Sequence, residues 1–224
     1  MKILITSGGT AEKIDNVRSI TNTSTGRLGC AIADAFAMAA QDAQIFYVCG
    51  QNAAQPKTGV DVVKIDDVES AKNAISQILC SHDIGIIIHA MAVSDYRVKD
   101  ISAPDGILEI MGGKIISHHS EITVHLERAP KIIDSIRALS PKSTFVGFKL
   151  LSDVPRGTLI DVAYAMLRRS DCDFVLANDT AEIAGDMHKG YLIDKYRQYS
   201  EHSTKTEIAQ AIVETTLKHR RSVK

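Results

Sequence analysis

Residues 2–29 read KILITSGGTAEKIDNVRSITNTSTGRLG, and the interpretation of the whole chain starts from this stretch. The apolar run at 2–6 is typical of a strand buried in a parallel sheet. Gly8-Gly9-Thr10 interrupts the run, a polar loop follows, and Ser24-Thr25-Gly26 leads into a helical pattern that begins at Leu28. Small residues and free backbone N–H groups at a helix N-terminus attract phosphate. The stretch therefore predicts a strand–loop–helix unit that binds a polyphosphate.

Composition restricts the class of protein. The 224 residues are 45% hydrophobic and carry a formal net charge of −1, which suits an α/β domain and gives no general attraction to nucleic acid or anionic lipid. No apolar run reaches the length of a membrane span, and residues 1–6 are too short for a signal peptide. We therefore expect a cytoplasmic protein that binds neither nucleic acid nor membrane. The cysteines are widely spaced in apolar segments, which predicts reduced core thiols: Cys30, Cys49, Cys80 and Cys172.

Strand-like and helix-like segments alternate along the chain. This alternation predicts a single domain over 1–224 with a three-layer, Rossmann-like α/β fold and a mainly parallel sheet. We predict strands at 2–6, 45–48, 60–65, 84–88, 144–148, 174–177 and 190–193. We predict helices at 27–40, 67–80 (with Asp66 or Asp67 as its cap), 130–139, 156–169 and 205–219. Within the domain, residues 97–127 break the alternation, and their short strand candidates at 107–111 and 122–126 predict an inserted hairpin or lid.

Small or polar residues follow four of the predicted strands. In open parallel sheets, ligands bind beyond the carboxyl ends of the strands, so these residues are expected to share one edge. Together with the residues around the first helix they form the predicted nucleotide site: Gly8, Gly9, Thr10, Ser24, Thr25, Gly26, Ala90, Met91, Ala92, Asp95, Phe148, Lys149, Asn178 and Asp179.

Four polar side chains have both a structural and a functional interpretation. Arg18 is either a solvated charge or a bidentate partner for phosphate. Asn22 is either a turn residue or a neutral donor to an acyl oxygen. Asp95 is either a helix cap or a magnesium ligand. Lys114 follows Gly112-Gly113 and is either an exposed lysine or one that closes over a triphosphate.

The order of these motifs resembles that of the phosphopantothenate–cysteine ligases, also called phosphopantothenoylcysteine synthetases. The resemblance covers essentially the whole chain. Its N-terminal part is ITSGGT at 5–10, DNVRSITN at 15–22 and STGRLG at 24–29. It continues with AMAVSDY at 90–96, Gly147-Phe148, AND at 177–179 and KTEIA at 205–209.

The resemblance implies an enzyme of coenzyme A biosynthesis. In this family CTP activates the carboxylate of 4′-phosphopantothenate as an acyl-cytidylate, and the amine of cysteine then forms the amide with release of CMP and pyrophosphate. The resemblance further implies Mg²⁺ or another divalent cation, no flavin, and a homodimer paired through the 107–127 strands. It is to the short stand-alone bacterial form, so a separate decarboxylase chain acting next in the pathway is an expected partner.

The resemblance also assigns roles to the four polar side chains. Asn22 would bind the acyl-cytidylate and assist amide formation, with Arg18 beside it. Asp95 would serve the nucleotide and its cation, and Lys114 would match the family's flexible-loop lysine. Two departures stand out: Gly147-Phe148-Lys149-Leu150-Leu151 replaces the Gly-Phe-Ala-Ala-Glu of many relatives, and the loop around Lys114 lacks their lysine-rich run.

Two other classes compete with the ligase. A nicotinamide-dependent reductase is disfavoured because no G-x-G-x-x-G follows the first strand, because Cys49-Gly50 replaces an acidic residue at the end of the second, and because no Tyr-x-x-x-Lys pair occurs. A non-catalytic nucleotide-binding protein would need the phosphate turns but neither Asn22 nor Lys114.

Overall fold

The structure is a computed structural model that describes residues 1–57, 59–104, 106–108, 113–116, 119–185 and 187–222. The strands in these ranges are β1 Lys2–Ser7, β2 Ala11–Lys13, β3 Ser19–Thr21, β4 Gln44–Gly50, β5 Val60–Ile65, β6 Ile86–His89, β7 Tyr96–Ala103, β8 Gly106–Ile107, β9 Thr123–Arg128, β10 Thr144–Leu151, β11 Phe174–Ala184, β12 Met187–Asp194 and β13 Tyr199–Thr204. The helices are α1 Arg27–Ala39, α2 Val68–Ser81, α3 Ile133–Leu139, α4 Arg156–Arg169 and α5 Lys205–Ser222.

An eight-stranded sheet in the order β13-β12-β11-β10-β6-β1-β4-β5 forms the centre of the fold. The strands from β11 to β5 in this order are parallel, and β12 and β13 continue the sheet antiparallel. The chain builds outward from β1 through β4 to β5, then returns to the other side of β1 with β6. The strand order thus reverses between β1 and β6, which is where ligands bind in open α/β sheets.

Helices cover both faces of this sheet. One face packs against α1 and α5, with Ile3, Ile5 and Phe36 at its centre, and the other packs against α2, α3 and α4, with Leu4 and Phe145 at its centre. Because β1 and β6 are buried from both sides, they read as continuous apolar runs rather than as alternating ones. The predicted three-layer, mainly parallel α/β architecture is confirmed.

Two small antiparallel sheets lie outside the main one. Strands β2 and β3 form a hairpin immediately after β1, and strands β8, β7 and β9 form a three-stranded sheet in that order. The second of these corresponds to the predicted insertion at 97–127. Its longest strand, β7, was not predicted, and residues 109–111 of the predicted strand at 107–111 lie outside the described residues, as does Gly112.

The other differences are in boundaries and burial. Helix α3 begins at Ile133 rather than at 130, and β10 and β11 continue past their predicted ends to Leu151 and Ala184. Lys149 and Asn178 therefore lie within strands and not after them. The cysteines in the described residues are free, but only Cys49 and Cys172 are buried; Cys30 is half-buried and Cys80 is exposed. None of the described helices is both long enough and apolar enough to cross a membrane.

Candidate active site

The loops that leave β1 and β6 run side by side where the strand order reverses. Gly9 and Ala92 form a parallel bridge, Ala92 N donates to Gly8 O at 2.7 Å, and Thr10 N donates to Ala92 O at 3.3 Å. Thr10 also donates from its hydroxyl to Ser94 Oγ at 3.0 Å and accepts from Ser94 N at 2.9 Å. The structure thus brings together two of the predicted groups, 8–10 and 90–92, that are far apart in the sequence.

Asn22 faces this pair of loops. Its Nδ2 donates to Ala92 O at 3.0 Å, and the side chain is otherwise exposed. The hairpin of β2 and β3 places it there, because Thr21 donates from Oγ1 to Thr10 O at 2.9 Å. An amide nitrogen carries two hydrogens, so one N–H of Asn22 is left to a ligand on the solvent side.

Arg18 and the segment that carries Lys114 are held by one carboxylate, that of Asp15. Arg18 Nη1 donates to Asp15 Oδ2 at 2.9 Å, and Ile115 N donates to the same oxygen at 3.1 Å. The Arg18 side chain remains 41% exposed, and Lys114 is exposed. The role of Asp15 was not predicted, although an Asp three residues before an Arg in a polar turn is a signal for side-chain-to-backbone hydrogen bonding.

The two glycine turns of the predicted phosphate site meet, but the chain itself fills the space between them. A Cβ on Gly8 would lie 2.6 Å from Ala53 Cβ, and one on Gly26 would lie 2.9 Å from the same atom. The need for glycine at these positions therefore follows from packing against Ala53 and from the positive φ angles of both residues. Gly26, with φ of 70°, precedes α1, and no described side chain caps this helix, so the N–H groups of its first turn have no partner within the helix. Ser24 and Thr25 lie exposed just before it.

Asp95 lies at the same edge, beyond β6. Its exposed carboxylate pairs with Lys131, and its backbone O accepts from Ala129 N at 3.0 Å. Among the described residues, no group of three or more His, Cys, Asp or Glu side chains is arranged to hold a metal ion. Mg²⁺ in nucleotide sites commonly uses one or two carboxylates and takes its remaining ligands from phosphates and water, so a lone carboxylate fits that role.

The predicted residues on β10 and β11 extend the site across the sheet, and two of them are committed to contacts within the chain. Asn178 is buried, with Nδ2 3.0 Å from His188 Nε2. Asp179 accepts from the N–H groups of Asp153, Val154 and Ala181 at 2.8–2.9 Å, and these bonds hold the pKa of its carboxyl below the usual value. Phe148 and Lys149 remain half-buried on β10, beside Leu176 and Ala177 of β11.

The comparison with known families decides where this arrangement belongs. The family model described as the DNA/pantothenate metabolism flavoprotein C-terminal domain (DFP) matches residues 1–219. The chain belongs to the DFP family. A crystal structure of the DNA/pantothenate metabolism flavoprotein from Streptococcus pneumoniae is 31% identical and superimposes with a TM-score of 0.87, covering 98% of this chain and 99% of that one.

Other relatives of this DFP-family chain have names that refer to coenzyme A biosynthesis. The crystallised C-terminal domain of a coenzyme A biosynthesis bifunctional protein CoaBC is 26% identical, with a TM-score of 0.76 over 99% of this chain and 96% of that one. The CoaBC protein of Methanocaldococcus jannaschii is 29% identical over 220 residues, which are 97% of this chain and 50% of that protein. The chain therefore spans about half the length of the curated relatives it matches.

Proposed function

We propose that the chain is a phosphopantothenate–cysteine ligase of coenzyme A biosynthesis. The observation that carries the proposal is the contact of Asn22 with the β6 loop at Ala92, on a hairpin whose turn joins Arg18 to the Lys114 segment at Asp15, in a chain matched over 1–219 by the DFP family. The names of the CoaBC relatives place such a domain in coenzyme A biosynthesis.

The proposed reaction has two steps. A carboxylate oxygen of 4′-phosphopantothenate attacks the α-phosphorus of CTP, pyrophosphate leaves, and an acyl-cytidylate forms. The amine of cysteine then attacks the acyl carbon, the amide bond forms, CMP leaves with the electron pair of the broken C–O bond, and the amine loses a proton. Because the nucleotide itself provides the activation, the protein needs to orient the reactants and stabilise charge, and it needs no side-chain nucleophile.

The site residues suit these tasks. Arg18 would contact the phosphoryl oxygens with its planar guanidinium while Asp15 holds it from behind. Lys114 would add a second cation against the triphosphate. Asn22 would donate its free N–H to the acyl-cytidylate, with its orientation set by the bond to Ala92 O. Glycine turns 8–9 and 24–26 would hold the phosphates with backbone N–H groups.

Asp95 would hold Mg²⁺ together with the phosphates of the nucleotide. The cation neutralises phosphate charge and favours pyrophosphate as a leaving group. Lys131 pairs with the Asp95 carboxylate and must yield it when the cation binds.

The first test is an assay of pyrophosphate release. Purified protein is incubated with 4′-phosphopantothenate, cysteine and Mg²⁺, and with CTP, ATP, GTP or UTP in turn. We expect cysteine-dependent amide formation and pyrophosphate release with CTP. No pyrophosphate with any nucleotide would refute the proposal, and oxidation of NADPH by the same preparation would favour a reductase.

Asn22→Asp tests the division between the two steps. Aspartate replaces a donor by a negative charge beside an anionic intermediate, so we expect CTP affinity to change less than about threefold while amide formation falls by about 100-fold or more. Acyl-cytidylate should then accumulate and be detectable by mass spectrometry. Asn73→Asp, the same change at an exposed position of α2, is the control and should behave as wild type. Equal loss of CTP binding and amide formation in Asn22→Asp would contradict the assigned role.

We also propose a homodimer formed through the sheet of β7, β8 and β9. One face of this sheet carries Val98 opposite Leu126 and Tyr96 opposite Arg128, and both Leu126 and Tyr96 are about half exposed. A decarboxylase that acts on the amide product is the second partner we propose.

A further inference from the structure

The carboxylate of Asp15 lies at the junction of two segments that the proposed mechanism uses separately. Its side chain has no exposed surface, and it accepts four hydrogen bonds. Oδ1 accepts from Val17 N at 2.9 Å and Arg18 N at 2.8 Å. Oδ2 accepts from Arg18 Nη1 at 2.9 Å and Ile115 N at 3.1 Å.

The two carboxylate oxygens of Asp15 accept hydrogen bonds from different parts of the chain. Oδ1 closes a local turn of a kind that aspartate and asparagine both form readily. Oδ2 instead joins the guanidinium of Arg18 to a backbone amide 100 positions further along the chain. The segment 113–116 is held at the same place by Asn16 N, which donates to Gly113 O at 2.8 Å, and by the side chain of Ile115, which is 5% exposed.

The carboxylate is ionised in this position. Burial opposes ionisation, but the backbone N–H groups of Ile115, Val17 and Arg18, together with the guanidinium of Arg18, outweigh it and hold the pKa of Asp15 below its usual value. Removing this buried carboxylate would leave several hydrogen-bond donors unsatisfied, which is costly in free energy.

We propose that Asp15 is a positioning residue that fixes Arg18 and the 113–116 segment, with Lys114, in one arrangement through its Oδ2 atom. The inference rests on the proposed function in so far as Arg18 and Lys114 act on the nucleotide. Asp15 itself touches no substrate. It affects the reaction through the positions of two positively charged side chains, those of Arg18 and Lys114.

Asp15→Asn separates the two roles of the carboxylate. The amide keeps one acceptor oxygen for the local turn, but its NH₂ group then faces Arg18 Nη1 and Ile115 N, which are both donors. Asp67→Asn is the matched control, since Asp67 also accepts a backbone N–H and also has a lowered pKa, but it lies at the start of α2 and is not part of the proposed site.

Three measurements on these variants test the proposal. Hydrogen exchange of the Ile115 amide should be at least tenfold faster in Asp15→Asn than in wild type and unchanged in Asp67→Asn. The rate of pyrophosphate release should fall about 10- to 100-fold while CTP affinity changes less than about threefold, since small misplacements of reacting groups carry costs of this size. Combined with Arg18→Gln, Asp15→Asn should cost less than the product of the two single effects.

Two results would overturn the inference: unchanged exchange at Ile115, or fully multiplicative losses in the double variant.

If Asp15→Asn does not fold, Gly113→Ala serves instead. A Cβ there would collide with the side chain of Asn16, and the φ of 78° disfavours alanine, so this variant should release the segment with Asp15 intact. It should speed exchange at Ile115 and slow pyrophosphate release, and wild-type values for both would also overturn the inference. A wild-type protein without ligase activity would refute the proposed function alone, because the exchange measurement on Asp15→Asn still decides whether Asp15 holds the segment.

Discussion

A threonine hydroxyl determines how the chain leaves the two central strands. Thr6 Oγ1 accepts from Met91 N at 3.3 Å and lies 2.9 Å from Nδ1 of the buried His89. The Thr6 hydroxyl accepts from Met91 N and can either donate to Nδ1 of His89 or accept from it, so the contact suits both tautomers of the neutral ring. Burial lowers the pKa of His89 to about 4, so the ring is neutral near pH 7. Protonation of His89 would place a positive charge in the core beside the 90–92 loop, which burial makes unfavourable.

The free energy of unfolding is therefore expected to fall as the pH drops from about 6.5 to about 4. Unfolded His89 binds its proton near pH 6.5, whereas the folded protein resists protonation until about pH 4, so the unfolded state gains protons first and is favoured. The loss from His89 approaches about 3 kcal/mol at the lower end of this range. Buried His188, whose pKa is also lowered to about 4, contributes a second proton to the dependence of the free energy of unfolding on pH.

Urea unfolding at a series of pH values measures this slope. His89→Asn should reduce it by about one proton in this range, because the contribution of His89 is removed while those of His188 and the carboxyl groups are unchanged. An unchanged slope in His89→Asn would show that His89 is not neutral in the folded protein.

Of the site residues, those with a local sequence signal could be predicted, and those defined by distant contacts could not. Arg18 and Asn22 follow from a polar stretch placed between two phosphate turns. The role of Asp15 depends on an amide at residue 115, and that of Lys131 on a carboxylate at residue 95. Neither pairing leaves a pattern that periodicity or spacing would reveal.

Helix α2 shows how a local signal becomes a fixed boundary. The sequence is compatible with either Asp66 or Asp67 as the N-cap, and in the structure the cap is Asp67. Its Oδ1 accepts from Ser70 N at 2.8 Å while Ser70 Oγ accepts from Asp67 N at 3.0 Å, which is a reciprocal capping box. Glu12 of β2 adds a further bond by accepting from Val68 N at 2.9 Å, so the same helix end also anchors the hairpin that carries Asn22.

Asp67→Ala should lower the free energy of unfolding by about 1 kcal/mol, because the first turn of α2 loses its side-chain acceptor. Asp66→Ala is the comparison, since among the described residues its exposed carboxylate contacts Gln51 and Lys13 alone, and its cost should be less than half as large. Urea denaturation at pH 7 measures both. A larger effect at Asp66 would mean that the cap is misassigned.

The helices were predicted closely because their apolar positions recur with the helical period, whereas several strands were missed or cut short. Strands β2 and β3 have only three residues each. Strand β11 was ended too early because Asn178 and Asp179 look like loop residues. Within the sheet both are tolerated, since His188 and the 153–154 backbone satisfy their hydrogen bonds. Such tertiary partners are invisible to a reading of local pattern.

The fold as a whole separates the proposed active site, at one edge of the main sheet, from the small sheet through which we propose that two copies pair. The loops of β1 and β6 run side by side at the point where the strand order reverses, while β7, β8 and β9 lie in the next connection along the chain. Asp95 ends the β6 loop and β7 begins at the following residue, Tyr96. Pairing of two copies through this sheet would therefore bring the partner close to the proposed metal site.

Leu126→Lys tests that pairing. A lysine in the middle of the apolar face would have to be buried without a partner charge, so we expect the variant to be monomeric at micromolar concentrations where the wild type is dimeric. Met38→Lys, at a more exposed apolar position on α1, is the control and should leave the dimer intact. Light scattering coupled to size-exclusion chromatography gives the mass directly. A wild-type mass of one chain, or a Leu126→Lys variant that still has the mass of two, would rule out this face as the dimer contact, because a buried unpaired charge at its centre is not compatible with association.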